Sequence, residues 1–193
     1  MKNLPTTFDD ILTCARSLII TGGYNGFSYA DIAEVVGIRK ASIHHHFPSK
    51  VDLVQTLVAR YRKEAEAGME HITLQVSNPL EQLQFYIGYW EACIEDASAP
   101  ICVCALLASQ LPILPKEVAI EVRAHFRYLS TWLASVLERG SELGQIQLAS
   151  SPHAEAEAFM ATVHGAMLSA RAYDDPNLFS LVTGPLLGRL ALP

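Results

Sequence analysis

The sequence predicts an all-α protein, with an N-terminal three-helix helix-turn-helix domain and a larger C-terminal helical domain, about nine helices in total. Apolar residues recur at helical spacing along almost the whole chain, and no window alternates with a period of two. Residues 28–52 also show the spacing of two helices that cross closely at a glycine turn. These observations favour a DNA-binding module joined to a helical body.

The turn is centred on Gly37. Ala33 lies four residues before it and Ile43 lies six residues after it. Two helices that cross closely need a small side chain at their contact, and a glycine opens the turn between them. A branched apolar side chain then packs the second helix back onto the first. All three residue types stand at the required offsets, so DNA binding is the leading hypothesis.

Two capping boxes delimit these helices. Ser28 with Asp31 predicts the start of the first helix, and Ser49 with Asp52 predicts the start of the helix that follows the pair. Pro48 predicts the end of the second helix, because the residue before a proline is pushed out of the α region.

The remaining elements follow from apolar spacing and from proline and glycine positions. The first helix runs from about Phe8 to Gly22-Gly23, and the helix after Ser49 continues to about Val76. The other predicted helices begin at Asn78-Pro79, Cys102, Pro115, Ser151-Pro152 and Asp175-Pro176. We expect the Cys102 helix to stop at Leu111 before Pro112, and Gly184-Pro185 to break or kink the last helix.

Length and composition bound the possible classes. With 193 residues, half of them apolar, the chain can form one large or two small domains. We place their boundary after residue 50, giving domains 1–50 and 51–193. No apolar run approaches the roughly 18 residues that span a membrane, and Asp9 and Asp10 are unlike a signal peptide. The four cysteines lack disulfide-framework spacing, so a cytoplasmic location is expected.

Charge is distributed unevenly along the chain. The net charge is −6, yet residues 1–64 carry eight Lys/Arg against six Asp/Glu. No acidic residue lies between Glu34 and Asp52, whereas Arg39, Lys40 and Lys50 lie there with three histidines. A small basic footprint on an acidic body suits a protein that binds DNA at one end. The alternative is that the body is acidic only because solvated helix surfaces commonly are.

At these residues the chain resembles the TetR/AcrR family of bacterial transcriptional regulators. The resemblance is strongest from Ile11 to Leu57, through Ile32-Ala33, the Gly37-Ile38 turn, a helix ending in His-Phe, and Ser49-Lys50. A weaker resemblance covers ICVCALLASQLPILPKEV and HGAMLSARAYDDPNLF, where Cys102 matches a cysteine of one branch of the family.

The resemblance implies a homodimeric, non-enzymatic repressor that leaves an inverted-repeat operator when a small molecule binds. It implies a recognition helix from Arg39 to His46, with Ala41 and Ser42 near base edges and Lys50 near phosphate. His44 stands where the family usually has a phosphate-contacting tyrosine, which predicts a mild pH dependence of DNA binding. The full predicted DNA-contacting set is Ser28, Tyr29, Arg39, Lys40, Ala41, Ser42, His44, His45 and Lys50.

An effector site of apolar walls with a few polar groups is expected in the C-terminal domain. The candidate lining residues are Tyr86, Tyr89, Trp90, Cys93, Cys102, His125, Phe126 and His164. For most of them the competing interpretation is an ordinary core position. The effector itself is not identified, and no cofactor or metal is expected.

Other hypotheses remain open at this point. Cys102 could act as a thiol sensor of electrophiles or oxidants, although a lowered thiol pKa would be needed. Metal binding by Cys102 and Cys104 is disfavoured, because helical residues two apart point about 200° from each other. An all-α enzyme shows no nucleophile, phosphate-loop or zinc motif. A ligandless C-terminal domain and an activator are further alternatives.

The predicted dimer interface is formed by the last two helices. The eighth predicted helix is rich in small residues, which permit close helix approach. These are Ala154, Ala156, Ala158, Ala161, Gly165, Ala166, Ala170 and Ala172.

Overall fold

A computed structural model of the chain describes residues 7–97 and 100–191. Its helices are α1 (Thr7–Gly22), α2 (Tyr29–Val36), α3 (Lys40–His46), α4 (Lys50–Gln75), α5 (Pro79–Glu95), α6 (Val103–Ala108), α7 (Lys116–Glu142), α8 (Pro152–Tyr173) and α9 (Asn177–Leu190). A short 3-10 turn, Leu111–Ile113, lies between α6 and α7. The all-α prediction is confirmed. In the described ranges, extended pairing is limited to one isolated antiparallel bridge between Ile146 and Ala191.

The chain forms two compact units. The first contains the described part of Met1–Lys63 together with Val103–His125. It holds α1, α2 and α3, the start of α4, all of α6 and the start of α7. Its core is apolar, with fully buried Ile11, Ile19, Ile32, Ile43, Leu53, Leu107 and Val118. Burial of this apolar surface is the main force that holds the short helices α2 and α3 together, because helices of their length are marginal alone.

The second unit contains Glu64–Cys102 and the described part of Phe126–Pro193. Within it α9 packs against both α8 and α5. Its core includes Leu83, Leu129, Leu133, Phe159, Val163 and Phe179. Asn78 caps α5 by accepting from the Leu80 amide at 2.9 Å, and Ser151 caps α8 by accepting from the Ala154 amide at 3.3 Å, as the sequence predicts.

One predicted boundary is wrong, and of the two effects predicted for Gly184-Pro185, a break or a kink of the last helix, the break does not occur. The helix expected over Cys102–Leu111 spans only Val103–Ala108, and Pro112 lies inside the following 3-10 turn. A proline fits the first turn of a helix, where its missing N–H is not needed. Gly184-Pro185 does not break α9, which continues to Leu190 around Pro185. The proline removes one backbone hydrogen bond there without ending the helix.

Candidate functional site

The first predicted capping box is present at the start of α2. The Ser28 amide and hydroxyl donate to one Asp31 carboxylate oxygen at 2.7 and 2.8 Å, and the Ala30 amide donates to the Ser28 hydroxyl at 3.2 Å. These bonds from Ser28 lower the pKa of Asp31, and the charge of Lys40 adds to the effect. The start of α2 is therefore fixed locally by its own side chains.

The turn between α2 and α3 follows from Gly37. Its φ is +74°, a left-handed conformation that glycine adopts without strain, and its amide donates to the Ala33 carbonyl at 3.0 Å. On the other side of the turn, Ile43 is 0% exposed and anchors α3 against the first unit's core. The predicted glycine turn is confirmed, and it fixes which side of α3 faces outwards.

Most of the predicted DNA-contacting residues lie together on the outward side of α3. Arg39 caps the helix without a side-chain hydrogen bond, and Ser42 is half-buried. The exposed members are Arg39, Lys40, Ala41, His44 and His45. With no acidic residue from residue 35 to residue 51, this face offers cationic and hydrogen-bonding groups to a polyanion.

Tyr29 and His44 lie against each other at the edge of this face. Their ring centroids are 4.8 Å apart, and the Tyr29 hydroxyl donates to the Phe47 carbonyl at 2.9 Å. Burial, with smaller contributions from Asp52 and Tyr24, raises the pKa of Tyr29 to about 12. Tyr29 thus joins the start of α2 to the end of α3, and its hydroxyl is already engaged.

Lys50 is the first residue of α4 and directly follows Ser49. The second predicted capping box is also present, because the Ser49 amide and hydroxyl donate to the Asp52 carboxylate at 2.9 and 2.7 Å. The Lys50 ammonium donates to the Phe27 carbonyl, and its Nζ lies 4.1 Å from the Phe27 ring centroid and 5.0 Å from that of Tyr24. Burial lowers the pKa of Lys50. The ammonium therefore braces the loop between α1 and α2, and its predicted phosphate contact stays a prediction.

Three of the predicted effector-lining residues come together in the second unit. Tyr86, Trp90 and Cys102 are all buried, and burial, with the nearby Cys102, raises the pKa of Tyr86. The Trp90 indole N–H lies near the Tyr86 hydroxyl and partly offsets this increase in the pKa of Tyr86. The two groups do not have the geometry of a hydrogen bond. Within the described residues this buried N–H has no hydrogen-bond partner. A buried donor without an acceptor is costly, and a ligand that supplies one would remove the cost.

The other predicted effector residues are spread more widely. Tyr89 is 55% exposed and packs edge-on against Trp90, whereas Cys93 is half-buried. The rings of Phe126 and His164 are 5.3 Å apart in the second unit, and the buried Nε2 of His164 has no partner among the described residues. His125 belongs to the first unit, where its ring lies 5.6 Å from that of Tyr61.

Two residues near the candidate interface are not among the DNA-contacting residues that the sequence predicts. His46 is exposed at the end of α3, with its ring centroid 6.0 Å from that of Phe8. Gln110 lies after α6, yet its side-chain oxygen accepts a hydrogen bond from the Tyr24 amide at 2.8 Å. Because Tyr24 and Gln110 are 86 positions apart in sequence, no local pattern indicates this contact.

Two kinds of feature are absent from the part of the chain that the structure describes. In residues 7–97 and 100–191, no group of three or more His, Cys, Asp or Glu side chains could hold a metal ion. None of the helices described there is both long and apolar enough to cross a membrane.

The chain matches two family models. Residues 11–57 match the model of bacterial regulatory proteins of the tetR family, and residues 79–183 match the tetracyclin repressor-like C-terminal domain. The first match covers the helix-turn-helix, and the second covers most of the helical body.

Three individual relatives extend these matches. A TetR-family transcriptional regulator from Agrobacterium tumefaciens is 63% identical and superposes with a TM-score of 0.94 over 96% of this chain and 97% of that one. A TetR regulator from Legionella pneumophila is 28% identical, with a TM-score of 0.88 over 97% and 99% of the two chains. The HTH-type transcriptional repressor KstR2 of Mycobacterium tuberculosis is 30% identical over 70% of this chain, which spans 66% of that repressor, just under two thirds.

Proposed function

This chain belongs to the tetR family of bacterial regulatory proteins, and we propose that it is a transcriptional repressor that leaves an inverted-repeat DNA operator when a small molecule binds. In this proposal residues 1–50 read the operator, and residues 51–193 bind the effector and form a homodimer. Regulators of this family bind DNA and dimerise, and they are not enzymes. The name of KstR2 as a repressor supports the sign of regulation.

The outward face of α3 carries the proposal. Gly37 and Ile43 orient the helix so that Arg39, Lys40 and His44 project from a surface without acidic neighbours in sequence. Lysine and arginine on such a helix suit phosphate oxygens, and Arg39 or Lys40 also suits guanine edges in the major groove. Ser42 and Ala41 are small enough to allow close approach to bases.

Dimerisation is supported by the exposed side of α8. Ala156, Ala166 and Ala170 are buried within the protomer, so they belong to its own core. The remaining small or apolar residues recur every three or four positions on the exposed side: Ala154, Ala158, Ala161, Gly165, Leu168 and Ala172. Beside them α9 exposes Leu181 at 68%. An exposed apolar stripe of this kind fits a two-fold helical interface, which would set two recognition helices roughly 34–36 Å apart on DNA.

Effector binding is supported by the unpartnered polar groups of the second unit. The Trp90 indole N–H and the His164 Nε2 are buried without partners in the described part of the chain. Each lies beside an aromatic ring: the ring centroid of Trp90 is 5.2 Å from that of Tyr89, and that of His164 is 5.3 Å from that of Phe126. Apolar walls with a few polar groups suit a small organic molecule that carries a hydrogen-bond acceptor.

The alternative of a thiol sensor acting through Cys102 has weaker support. Cys102 and Cys104 are both 0% exposed. Reactive thiols are accessible and have a lowered pKa, whereas thiols buried among apolar groups are inert. Effector binding therefore remains the proposed trigger.

The experiment is DNA binding by fluorescence anisotropy, using the DNA upstream of the protein's own gene and random DNA as competitor. We expect the upstream DNA to bind at least about a thousandfold more tightly than random DNA, with an affinity that falls steeply as salt increases. Equal, weak binding to both DNAs would overturn the assignment as a specific regulator of that site. Thermal-shift screening of small aromatic compounds, followed by release of the DNA, would then test the effector.

A further inference from the structure

The turn after α1 is held by a side chain from a distant part of the first unit. The Gln110 side-chain oxygen accepts from the Tyr24 amide at 2.8 Å. Tyr24 is only 8% exposed, so its amide depends on this acceptor rather than on water. The amide group of Gln110 thus completes the backbone hydrogen bonding of a turn that lies 86 residues earlier in the chain.

Gln110 is itself held in place from both sides. The backbone amide of Gln110 donates to the Leu107 carbonyl at 2.9 Å, and its backbone carbonyl accepts from the Ile113 amide at 2.9 Å. It therefore joins the end of α6 to the 3-10 turn. Leu107 is fully buried in the core of the same unit, so the backbone that presents Gln110 is anchored.

Gly23 makes the close approach of Gln110 possible. Its φ is +71°, and a Cβ built on it would lie 2.1 Å from Gln110 Nε2. Any other residue would be strained at this φ, and its Cβ would push the Gln110 side chain away from the turn. The turn and Gln110 are thus fitted to each other, not merely adjacent.

Beyond the turn, a series of contacts leads to the candidate DNA interface. The Tyr24 ring faces the Lys50 ammonium, and Lys50 donates to the carbonyl of Phe27. Ser28, the capping residue of α2, follows Phe27 directly. The loop from Gly23 to Phe27 is therefore fixed by Gln110 at one end and by Lys50 at the other, immediately before the helix-turn-helix begins.

We infer that Gln110 is a positioning residue for DNA binding: its side-chain amide holds the Gly23–Tyr24 turn and thereby sets Lys50 and the start of α2 in the geometry that binds DNA. Gln110 lies in neither α2 nor α3 and makes no DNA contact in this inference. It follows α6, far from α2 and α3 in sequence but in the same compact unit. The inference rests on the proposed DNA-binding function.

Two substitutions separate the hydrogen bond from the bulk of the side chain. Gln110→Met keeps the length but removes the acceptor for the Tyr24 amide, whereas Gln110→Glu keeps an acceptor oxygen. Ser109→Ala is the matched control, because Ser109 is exposed and its hydroxyl donates to the Leu106 carbonyl of its own helix end, not to the turn after α1. We expect hydrogen exchange at the Tyr24 amide to be about tenfold faster in the Met variant only.

Operator affinity of the full chain, measured well below the melting temperature, tests the functional part. We expect Gln110→Met to weaken binding by about tenfold, Gln110→Glu to bind more tightly than Gln110→Met, and Ser109→Ala to match the wild type. In a double-mutant cycle, the loss of operator affinity caused by Gln110→Met should be smaller in the Lys50→Met variant than in the wild type, because both side chains act through one loop.

Several outcomes would overturn the inference. A Met variant that melts at a lower temperature but binds the operator as well as wild type would show that Gln110 is only structural. If the losses of operator-binding free energy in Gln110→Met and Lys50→Met add up in the double variant, the two residues act separately. Wild-type protein that binds no specific DNA would overturn the proposed function instead, and Tyr24 exchange would still decide whether Gln110 holds the turn.

Discussion

His44 Nδ1 lies 3.2 Å from the carbonyl oxygen of Pro48, four residues further along the chain. A carbonyl oxygen only accepts hydrogen bonds, so the Nδ1 of His44 must carry the hydrogen. In the neutral ring Nε2 then holds a lone pair and cannot donate to a phosphate oxygen. Once the ring gains its second proton, Nε2 becomes a charged donor at the exposed side of α3.

We therefore predict that operator affinity increases on acidification, because only the protonated His44 ring has an Nε2 donor for a phosphate oxygen. One new phosphate contact per subunit should steepen the dependence of log affinity on log salt by about 1.8 per dimer. His44→Gln should remove that steepening, whereas His45→Gln is the control that keeps it. The same steepening in the His44→Gln variant would assign the effect to the other exposed histidines.

Lys40 is predicted to contact phosphate or a base edge. It is exposed at the start of α3. After the hydrogen bonds from Ser28, the charge of Lys40 also lowers the pKa of Asp31. Lys40→Ala should weaken operator binding by about tenfold or more and reduce the salt slope by about 0.9 for each phosphate that is no longer neutralised. Lys63→Ala, on the exposed side of α4, is the control. A folded Lys40→Ala variant with unchanged affinity would contradict the assignment.

The sequence predicted the helix-turn-helix well because its determinants are local. Gly37, the Ser28–Asp31 box and the Ser49–Asp52 box act over three or four residues, and each is present in the structure. The same locality explains the failure at α6. Pro112 predicts the end of a helix that starts at Cys102, yet α6 ends at Ala108 and the proline lies inside a separate 3-10 turn that begins at Leu111.

Contacts between distant residues could not be predicted in this way. The place of Lys50 in the first turn of α4 predicts a phosphate contact, which stays a prediction, but nothing local in the sequence predicts the contacts of its ammonium with Phe27 and Tyr24. Gln110 gave no signal at all, because a polar residue after a short helix is unremarkable until the fold brings it to Tyr24. Among the effector candidates, spacing alone could not separate buried Trp90 from exposed Tyr89.

The exposed stripe on α8 leads to a prediction about assembly. A Cβ added at Gly165 meets nothing within 4 Å in the protomer, so Gly165→Arg should fold. In a dimer packed on this stripe the arginine would separate the two helices, and the protein should become monomeric by sedimentation or light scattering. Gly68→Arg is the control, since Gly68 is equally open on the exposed side of α4. A dimeric Gly165→Arg protein would place the interface elsewhere.

Tyr29 is predicted to make the protein sensitive to alkali. Its pKa is raised to about 12, above the usual value of 10.0, because burial disfavours the charged form. Between these values the unfolded chain loses the proton and the folded chain keeps it, so stability is complete below about pH 10 and falls as the pH rises towards 12. Tyr29→Phe should show a shallower loss of stability over that range in urea unfolding.

Tyr29→Phe should also lower the stability of the fold at neutral pH. Removal of the hydroxyl leaves the Phe47 carbonyl without its donor, which should lower the free energy of unfolding by about 1 kcal/mol. Identical alkaline profiles for the variant and the wild type would assign the transition to Tyr24, Tyr86 or Tyr128, whose pKa values burial also raises.

The four cysteines should differ in reactivity towards a small electrophile. Cys93 is half-buried, whereas Cys14, Cys102 and Cys104 are buried. Burial raises the pKa of Cys14, which further lowers its thiolate fraction. We expect N-ethylmaleimide to modify Cys93 first, as read by peptide mass spectrometry, and operator affinity of a Cys93→Ser variant to resist the reagent. Loss of DNA binding that persists in Cys93→Ser but disappears in Cys102→Ala would instead establish Cys102 as a thiol sensor, with local opening of its buried site as the required step.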